Sequence, residues 1–226
     1  AKELGATKQE VHRNLVRLEE SGLITKEKDG KYSLTTFGKT MCVEIPSILF
    51  LSQHNEYFQD HDFGSIPLKF VMRAGQLATG SHIKGITKTL QKWKSVYSNA
   101  NEYICEILSE IPEDLFDPIL KKIKNGVKFE YIVSESAIVP EGRLTRLKKS
   151  GFYELLENGS IERKMQKSVQ TVVVLNEKEA CIFFPKNGEA DLTEMFYSDQ
   201  DVFHEWCLDY FRYCWYNSGS FQENKL

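Results

Sequence analysis

No stretch of this 226-residue sequence is apolar for long enough to cross a membrane. The longest candidates, residues 169–175 and 45–51, are broken by polar residues or by proline, whereas a membrane-spanning helix needs about 20 apolar residues. The first residues are polar and charged, so they do not indicate a secretory signal. These absences predict a protein that does not enter the membrane and that resides in the cytoplasm.

Cysteine is also scarce. The five cysteines are odd in number and scattered, with no CxxC pair and no histidine at the spacing of a zinc site; they are Cys42, Cys105, Cys181, Cys207 and Cys214. The sequence also lacks a glycine-rich phosphate loop, a Walker motif and an HExxH motif. We therefore expect reduced structural thiols, no metal and no cofactor.

The charge is small, but it is unevenly divided. The net charge is −3, yet residues 1–39 hold eight basic against six acidic residues, a net of +2, and the rest of the chain carries −5. A hydrophobic content of 41% with 12% aromatic residues excludes a disordered chain. The basic start of an otherwise acidic protein indicates a nucleic-acid-binding module there.

The first recognisable element is a helix at about residues 8–20. Thr7 and Glu10 have the spacing of a capping box, in which each side chain bonds the free backbone N–H of the other. Val11, Leu15 and Leu18 then form one apolar stripe. Gln9, Arg13 and Val16 point away from that stripe, and His12 and Arg17 flank them. The outward face therefore carries side chains able to recognise bases.

The neighbours of this helix predict a winged helix-turn-helix. Residues 1–4 look like the end of another helix, and Gly5 and Ala6 supply the turn between the two. Residues 23–28 and 31–35 flank Asp29 and Gly30, a dipeptide that favours a two-residue type I′ hairpin, which would be the wing. The first helix of such a module is not visible in this sequence, and we expect it to precede residue 1.

This order of elements, with its Leu-Glu-Glu-Ser-Gly-Leu-Ile segment at residues 18–24, resembles winged-helix regulators of the prokaryotic repressor type. The resemblance implies that the helix enters the major groove of double-stranded DNA, with base contacts from Gln9, Arg13 and His12. The implied phosphate contacts are Thr7, Lys8, Arg17, Lys28 and Lys31. The alternative for each of these residues is an ordinary solvated surface.

Residues 36–60 read as a helical connector that Pro46 kinks or restarts. It is too apolar for a free linker, and its apolar residues are Met41, Ile45, Ile48, Leu49 and Leu51. Two interpretations stay open: the helix pairs with its twin in a homodimer, which we favour, or it packs on the C-terminal part of its own chain.

Short motifs further along resemble archaeal winged-helix regulators of the methanogenesis-regulatory type. The motifs are His61-Asp62, Ile66-Pro67, Gly75 with Leu77, Asp191-Leu192, Ser198-Asp199 and a tryptophan-containing helix at residues 201–216. The resemblance implies a DNA-binding regulator whose C-terminal domain acts as an effector or sensor. It implies no particular ligand.

The pattern of the C-terminal part alternates strands with helices, which indicates a mixed, largely parallel sheet with helical layers. The expected strands are residues 82–86, 102–108, 127–133, 161–165, 169–175 and 180–184. The expected helices are residues 88–100, 113–125, 143–156 and 199–215. A sensor pocket would lie beyond the carboxyl ends of the strands, around Glu135, Ser136 and the basic run Arg143, Arg146, Lys148 and Lys149. An anionic effector is one suggestion from that run; a solvated helix face is the alternative we favour.

An enzyme is not expected. His82-Ile83-Lys84 fits the start of the phospholipase D-type His-x-Lys motif, but the acid of the motif would fall at Thr89, and the chain has no second His-x-Lys. The acids beside His61 and His204 are neighbours in sequence, and neighbouring side chains point apart. An inactive relative of that fold stays possible.

Together, the sequence predicts an α/β protein: an N-terminal winged helix-turn-helix at residues 1–40, a helical connector at 41–78 and a mixed-sheet effector domain at 79–226. The predicted function is a homodimeric transcription regulator that binds DNA and senses a small-molecule effector or a partner. The alternative is a winged helix that binds proteins and carries a ligand-binding or degenerate phospholipase D-like domain.

Overall fold

The computed structural model describes residue 3 and residues 5–110, 113–137 and 142–223. The helix expected at residues 1–4 lies outside the described residues, apart from Glu3, which is in a turn. The N-terminal module, residues 5–40, contains helix α1 (Lys8–Glu20) and an antiparallel hairpin of β1 (Ile24–Lys26) and β2 (Tyr32–Leu34). The predicted helix, its capping box and the hairpin are all present.

The hairpin turn differs from the prediction. The backbone N–H of Glu27 donates to Lys31 O, and that of Gly30 donates to Glu27 O, so three residues rather than two form the loop. Only Gly30 has a positive φ, +83°, which gives a turn followed by a left-handed glycine instead of a type I′ turn. Asp29 accepts a hydrogen bond from the Lys31 N–H, which stabilises this longer loop.

The connector begins with helix α2 (Thr36–Gln53), which retains Pro46 inside it. It ends seven residues before the predicted limit at residue 60, and a 3₁₀ turn (Tyr57–Gln59), the short helix α3 (Leu68–Val71) and a second 3₁₀ segment (Ala74–Thr79) follow. The backbone of α2 closely approaches the last segment, because a Cβ on Gly75 would lie 2.5 Å from Ser47 N. Part of α2 therefore packs on its own chain.

The C-terminal domain follows the predicted alternation in its first half. In chain order its elements are β3 (Ser81–Lys84), α4 (Ile86–Asn99), β4 (Tyr103–Leu108), α5 (Glu113–Lys124), β5 (Lys128–Ser134), α6 (Arg143–Ser150), α7 (Phe152–Glu157), β6 (Ile161–Gln166), β7 (Val172–Asn176), β8 (Ala180–Phe183), β9 (Pro185–Lys186), β10 (Glu189–Ala190), β11 (Glu194–Ser198), α8 (Asp201–Tyr216) and β12 (Gly219–Ser220). Where one helix was predicted at residues 143–156 there are two, because Gly151 takes a left-handed conformation with φ +77°.

The prediction of a largely parallel sheet is wrong. Eight of the described strands form one sheet in the order β12-β6-β5-β4-β7-β8-β11-β3, in which only the neighbouring pairs β4–β5 and β5–β6 are parallel. The other five pairs are antiparallel. Strand β11 was not predicted and occupies a place between β8 and β3. The sheet thus joins a parallel half to an antiparallel half at β4 and β7.

Helices cover both faces of the sheet. Trp93 of α4 donates to Glu106 of β4 on one face, and Lys164 and Gln166 of β6 donate to carbonyl groups of α8 on the other. The core is rich in aromatic side chains, and Trp93, Phe183, Phe196 and Trp206 are almost completely buried. Within the part of the chain that the structure describes, no helix has the length and apolar character needed to span a membrane.

Candidate functional site

The N-terminal capping box orients the start of α1. The Glu10 carboxylate accepts hydrogen bonds from the Thr7 backbone N–H and hydroxyl, both at 2.8 Å, and the Glu10 N–H donates to the Thr7 hydroxyl at 3.2 Å. The bond from the Thr7 N–H, followed by that from its hydroxyl, lowers the pKa of Glu10 below its ordinary value. The Thr7 hydroxyl, predicted to contact a phosphate, is therefore already engaged within the helix start.

The predicted base-contacting residues lie on an open surface. Gln9, His12 and Arg13 are all exposed, and no residue of α1 is buried. Gln9 and Arg13 are four residues apart, so both project from one side of the helix. Arg17 continues that row and Lys8 precedes it, both exposed. By helix periodicity, Gln9, Arg13 and Arg17 share one side of α1, and Lys8 lies on another side at its first turn.

The β1–β2 hairpin adds two exposed lysines, Lys28 and Lys31. The Lys31 ammonium lies 2.9 Å from an Asp29 carboxylate oxygen, and this bond lowers the pKa of Asp29. Both side chains of the pair are exposed, so the pair contributes little to stability and leaves the Lys31 ammonium accessible. The Lys26 ammonium lies over the Tyr32 ring, 5.8 Å from its centroid.

Helix α2 has one apolar face that the chain itself does not cover. Phe37, Ile45, Ile48 and Leu49 fall within one arc of the helix and are 42–64% exposed. The opposite side holds Phe50, which is fully buried. One side of α2 therefore packs on its own chain, as the second interpretation of the connector predicts, and pairing with a twin stays a prediction.

A cleft opens where the parallel and antiparallel halves of the sheet meet, and we name it the switch-point cleft. It has a volume of about 370 Å³, within the range of roughly 300–1,000 Å³ that is typical of small-molecule sites. Its polar groups come from the ends of β4 and β5, from the segment before β7 and from the β9–β10 hairpin: Ser109, Glu110, Ser134, Ser136, Ser168, Gln170 and Glu189. The position is the one that open α/β sheets favour for ligands.

The lining of this cleft only partly overlaps the region predicted for a sensor pocket. Ser136 lines it, as expected, but none of the basic run at residues 143–149 does. Arg146 instead forms an ion pair with Asp117 at 2.9 Å, and Arg143 lines a separate apolar cavity beside α5. The described lining of the cleft contains no Lys, Arg or His, and it includes two acidic residues, Glu110 and Glu189. Sequence position could have revealed Ser109, Glu110 and Ser168, since each lies just outside a predicted strand, whereas Gln170 falls inside the strand predicted at residues 169–175.

The His82 imidazole lies inside an aromatic cluster. It stacks on Phe196 with ring centroids 4.7 Å apart, and the Tyr57 ring meets it edge-on at 4.9 Å. Contrary to the expectation from sequence, it has an acidic neighbour: Glu194 of β11 places a carboxylate oxygen 2.8 Å from Nε2, although the two atoms are not aligned for a hydrogen bond. Burial lowers the pKa of His82, against the opposing effect of Glu194.

The other histidines next to acids also have partners from distant parts of the chain. Both ring nitrogens of His61 lie 3.0 Å from oxygen atoms, those of Tyr57 O and the Asp191 carboxylate. His204 contacts Asn176 O at 2.6 Å. All five cysteines are free thiols, with Cys42 exposed and the others buried. No cluster of metal-binding side chains occurs among the described residues.

No protein-family model matches the sequence. No curated protein sequence matches it either. The fold is similar to that of TrmBL2, an archaeal chromatin protein with its own mode of DNA binding, at a TM-score of 0.50 and 14% identity over 96% of this chain and 84% of that one. Two further solved structures align at lower TM-scores. They are NucT from Helicobacter pylori (0.48, 13% identity, 63% of this chain and 98% of that one) and the phospholipase D family member Nuc from Salmonella typhimurium (0.47, 13%, 64% and 99%). The likeness to TrmBL2 concerns the fold alone, which is mixed α/β.

Proposed function

We propose that the protein is a transcription regulator that binds double-stranded DNA through α1 and the hairpin, in the manner of archaeal winged-helix regulators. The observation that carries the proposal is the exposed face of α1, on which Gln9 and Arg13 project side by side after a formed capping box. Gln can bond both N6 and N7 of adenine, and Arg can bond O6 and N7 of guanine. The likeness of the fold to a DNA-binding archaeal protein supports this proposal.

The basic side chains around that face supply the affinity. Lys8, Arg17, Lys28 and Lys31 are exposed on α1 and the hairpin, where they can neutralise phosphates on both sides of the groove. His12 contributes a weaker base contact at the edge of the same face.

The proposed regulator is a homodimer joined through α2. Phe37, Ile45, Ile48 and Leu49 form an exposed apolar stripe directly after the hairpin, and a twofold partner would cover it. Such pairing would carry two α1 helices to successive major grooves, about 34 Å apart. We expect Ile48→Glu with Leu49→Glu to give a monomer by light scattering, while Lys39→Glu, on another side of the helix, leaves the dimer intact.

The C-terminal domain has a sensing role in this proposal and no catalytic one. His82 is packed among Tyr57, Phe196 and Glu194, so its position is that of a structural side chain. Turnover of a phosphodiester substrate that is abolished by His82→Ala would contradict this part. The switch-point cleft is the place for an effector.

Fluorescence anisotropy with duplex DNA tests the proposal directly. We expect binding that weakens steeply with salt, and Arg13→Ala should reduce affinity for a selected site by about 1–3 kcal/mol. Arg212, exposed on α8, offers the matched control, and Arg212→Ala should leave binding unchanged. A protein that binds no duplex but co-purifies with a protein partner would favour the protein-binding alternative.

A further inference from the structure

We propose that the switch-point cleft binds a small organic cation carrying ammonium groups, and that the β9–β10 hairpin transmits its binding to the connector. The inference about the ligand class rests only on the residues of the cleft. The second inference rests on the proposed function, since its readout is DNA affinity.

The chemistry of the cleft selects the ligand. Two acidic residues, Glu110 after β4 and Glu189 on β10, line the cleft, and its described lining contains no basic residue. An anion would be repelled by these two residues, whereas an ammonium group would be attracted to them. The acidic groups sit at the rim of a formed cavity and do not themselves define it.

Hydroxyl groups deeper in the cleft supply acceptors for the N–H bonds of an ammonium. Ser134 is 2% exposed, and its hydroxyl lies 2.7 Å from that of Ser136. A serine oxygen has two lone pairs, so this pair retains acceptor capacity after its mutual bond. The Gln170 amide N–H already donates to Gly188 O at 2.9 Å, which holds that side chain against the hairpin.

The same hairpin contacts the connector. The Lys186 ammonium bonds the Asp60 carboxylate at 3.0 Å, and the Asp62 backbone N–H donates to Pro185 O at 3.1 Å. A Cβ on Gly64 would lie 2.8 Å from both Gln170 Oε1 and Pro185 Cγ, so the connector backbone fits closely against a cleft residue.

The hairpin is a defined element able to move as a unit. Asn187 and Gly188 have φ values of +53° and +82°, which is the type I′ geometry of a tight two-residue turn. A ligand that draws Glu189 into the cleft would shift Lys186 and Pro185 on the paired strand and so the 60–64 segment after α2. This gives a direct physical link between the cleft and the helix that positions α1.

Three four-carbon probes that differ only in their end groups test the ligand class. We would titrate the full chain by calorimetry with 1,4-diaminobutane, butane-1,4-diol and succinate. We expect binding of the diamine, at least tenfold weaker binding of the diol and none of succinate. Equal binding of succinate, or no binding of the diamine, would overturn the proposal.

Variants locate the site. Glu110→Gln with Glu189→Gln should weaken diamine binding at least tenfold, while the matched pair Glu157→Gln with Glu205→Gln, both exposed and remote from the cleft lining, should leave it unchanged. Circular dichroism confirms folding, and Ser168→Ala gives a second, milder cleft variant. Equal loss in both pairs would show nonspecific charge attraction and reject the site.

Coupling is tested separately with Lys186→Met, which removes the bond to Asp60 but no cleft group. In wild-type protein we expect the diamine to change amide exchange at Asp62 and to shift duplex affinity at least threefold; Lys186→Met should bind the diamine normally and lose both effects. The Gln double variant in the same buffer corrects for diamine bound to DNA. If the protein binds no duplex DNA, the proposed function is wrong. Calorimetry would still test diamine binding in the cleft, and amide exchange at Asp62 would still test the coupling of the cleft to the connector.

Discussion

The N-terminal module and the C-terminal domain are held together by different kinds of interaction. Of the described residues 5–40, only Ile24 and Gly38 are buried, and the module's geometry comes from bonds between near neighbours, such as those of the capping box and the Asp29 turn. The C-terminal domain instead buries a large aromatic core and pairs strands that are far apart in sequence. The difference teaches that the proposed DNA-binding surface is locally determined, while the cleft depends on the whole sheet.

The largest expected effect tests this contrast in stability. Phe196→Ala removes a fully buried ring that contacts Phe50, Tyr57 and His82, and it should lower the free energy of unfolding by about 3–5 kcal/mol. Leu15→Ala on α1, where the side chain is only half-buried, should cost less than about 1 kcal/mol. Urea denaturation followed by circular dichroism measures both. Equal losses would mean that the two regions share one core.

This contrast also explains what could be predicted from the sequence. The bounds of α1, its cap and most strands of the C-terminal domain follow from local patterns, and the structure contains them. The predicted two-residue turn of the hairpin was wrong because Asp-Gly suits either of two turns. The bond from the Lys31 N–H to Asp29 favours the longer turn. Strand β11 was not predicted because its place depends on pairing with β8 and β3.

The cleft shows the same limit. Its residues come from the ends of β4 and β5, the segment before β7 and the β9–β10 hairpin, and only the strand order brings them together. The predicted basic run lies near in sequence to Ser136, yet α6 directs Arg146 toward Asp117 on α5. The residue types correctly indicated that the basic run is charged and lies at the surface. Only the topology of the fold determines which charged residues line the same cavity.

A second test concerns a charge inside the C-terminal core. Glu106 is 1% exposed and accepts a hydrogen bond from Trp93, and burial raises its pKa from 4.5 to about 7. Because the folded state holds the proton more tightly than the unfolded chain, the free energy of unfolding should fall as pH rises from about 4.5 to 7 and then level off. The full loss would be about 3 kcal/mol at most.

Glu106→Gln should remove this pH dependence and stabilise the protein above pH 7, since an amide oxygen still accepts the Trp93 bond. Glu157→Gln, at an exposed position, should leave the pH profile unchanged. Thermal melts between pH 4 and 8 measure the difference. If the stability of Glu106→Gln changed with pH in the same way as that of the wild type, another group would control this pH dependence.

A smaller effect is expected at the N-terminal cap. Thr7→Ala removes the acceptor for the Glu10 N–H and should destabilise α1 by about 1 kcal/mol. Since α1 buries no residue, the loss should appear as faster amide exchange within α1, with the melting temperature of the whole protein nearly unchanged. Thr7→Ser retains the hydroxyl and should keep wild-type exchange. A lower global melting temperature in Thr7→Ala would show that α1 unfolds together with the sheet.

The smallest effect on stability is expected for Lys31→Ala, which should have a clear effect on the salt dependence of DNA binding. Lys31→Ala on the hairpin and Lys148→Ala on α6 each remove one exposed lysine, and neither should change the melting temperature measurably. Lys31 lies beside the proposed groove-binding helix, so its loss should flatten the salt dependence of duplex binding by about 0.9 per phosphate contact. Lys148 belongs to the acidic part of the chain and should leave that slope unchanged. If both variants flatten the slope equally, DNA contacts extend onto the C-terminal domain, and the division of roles between the two regions is wrong.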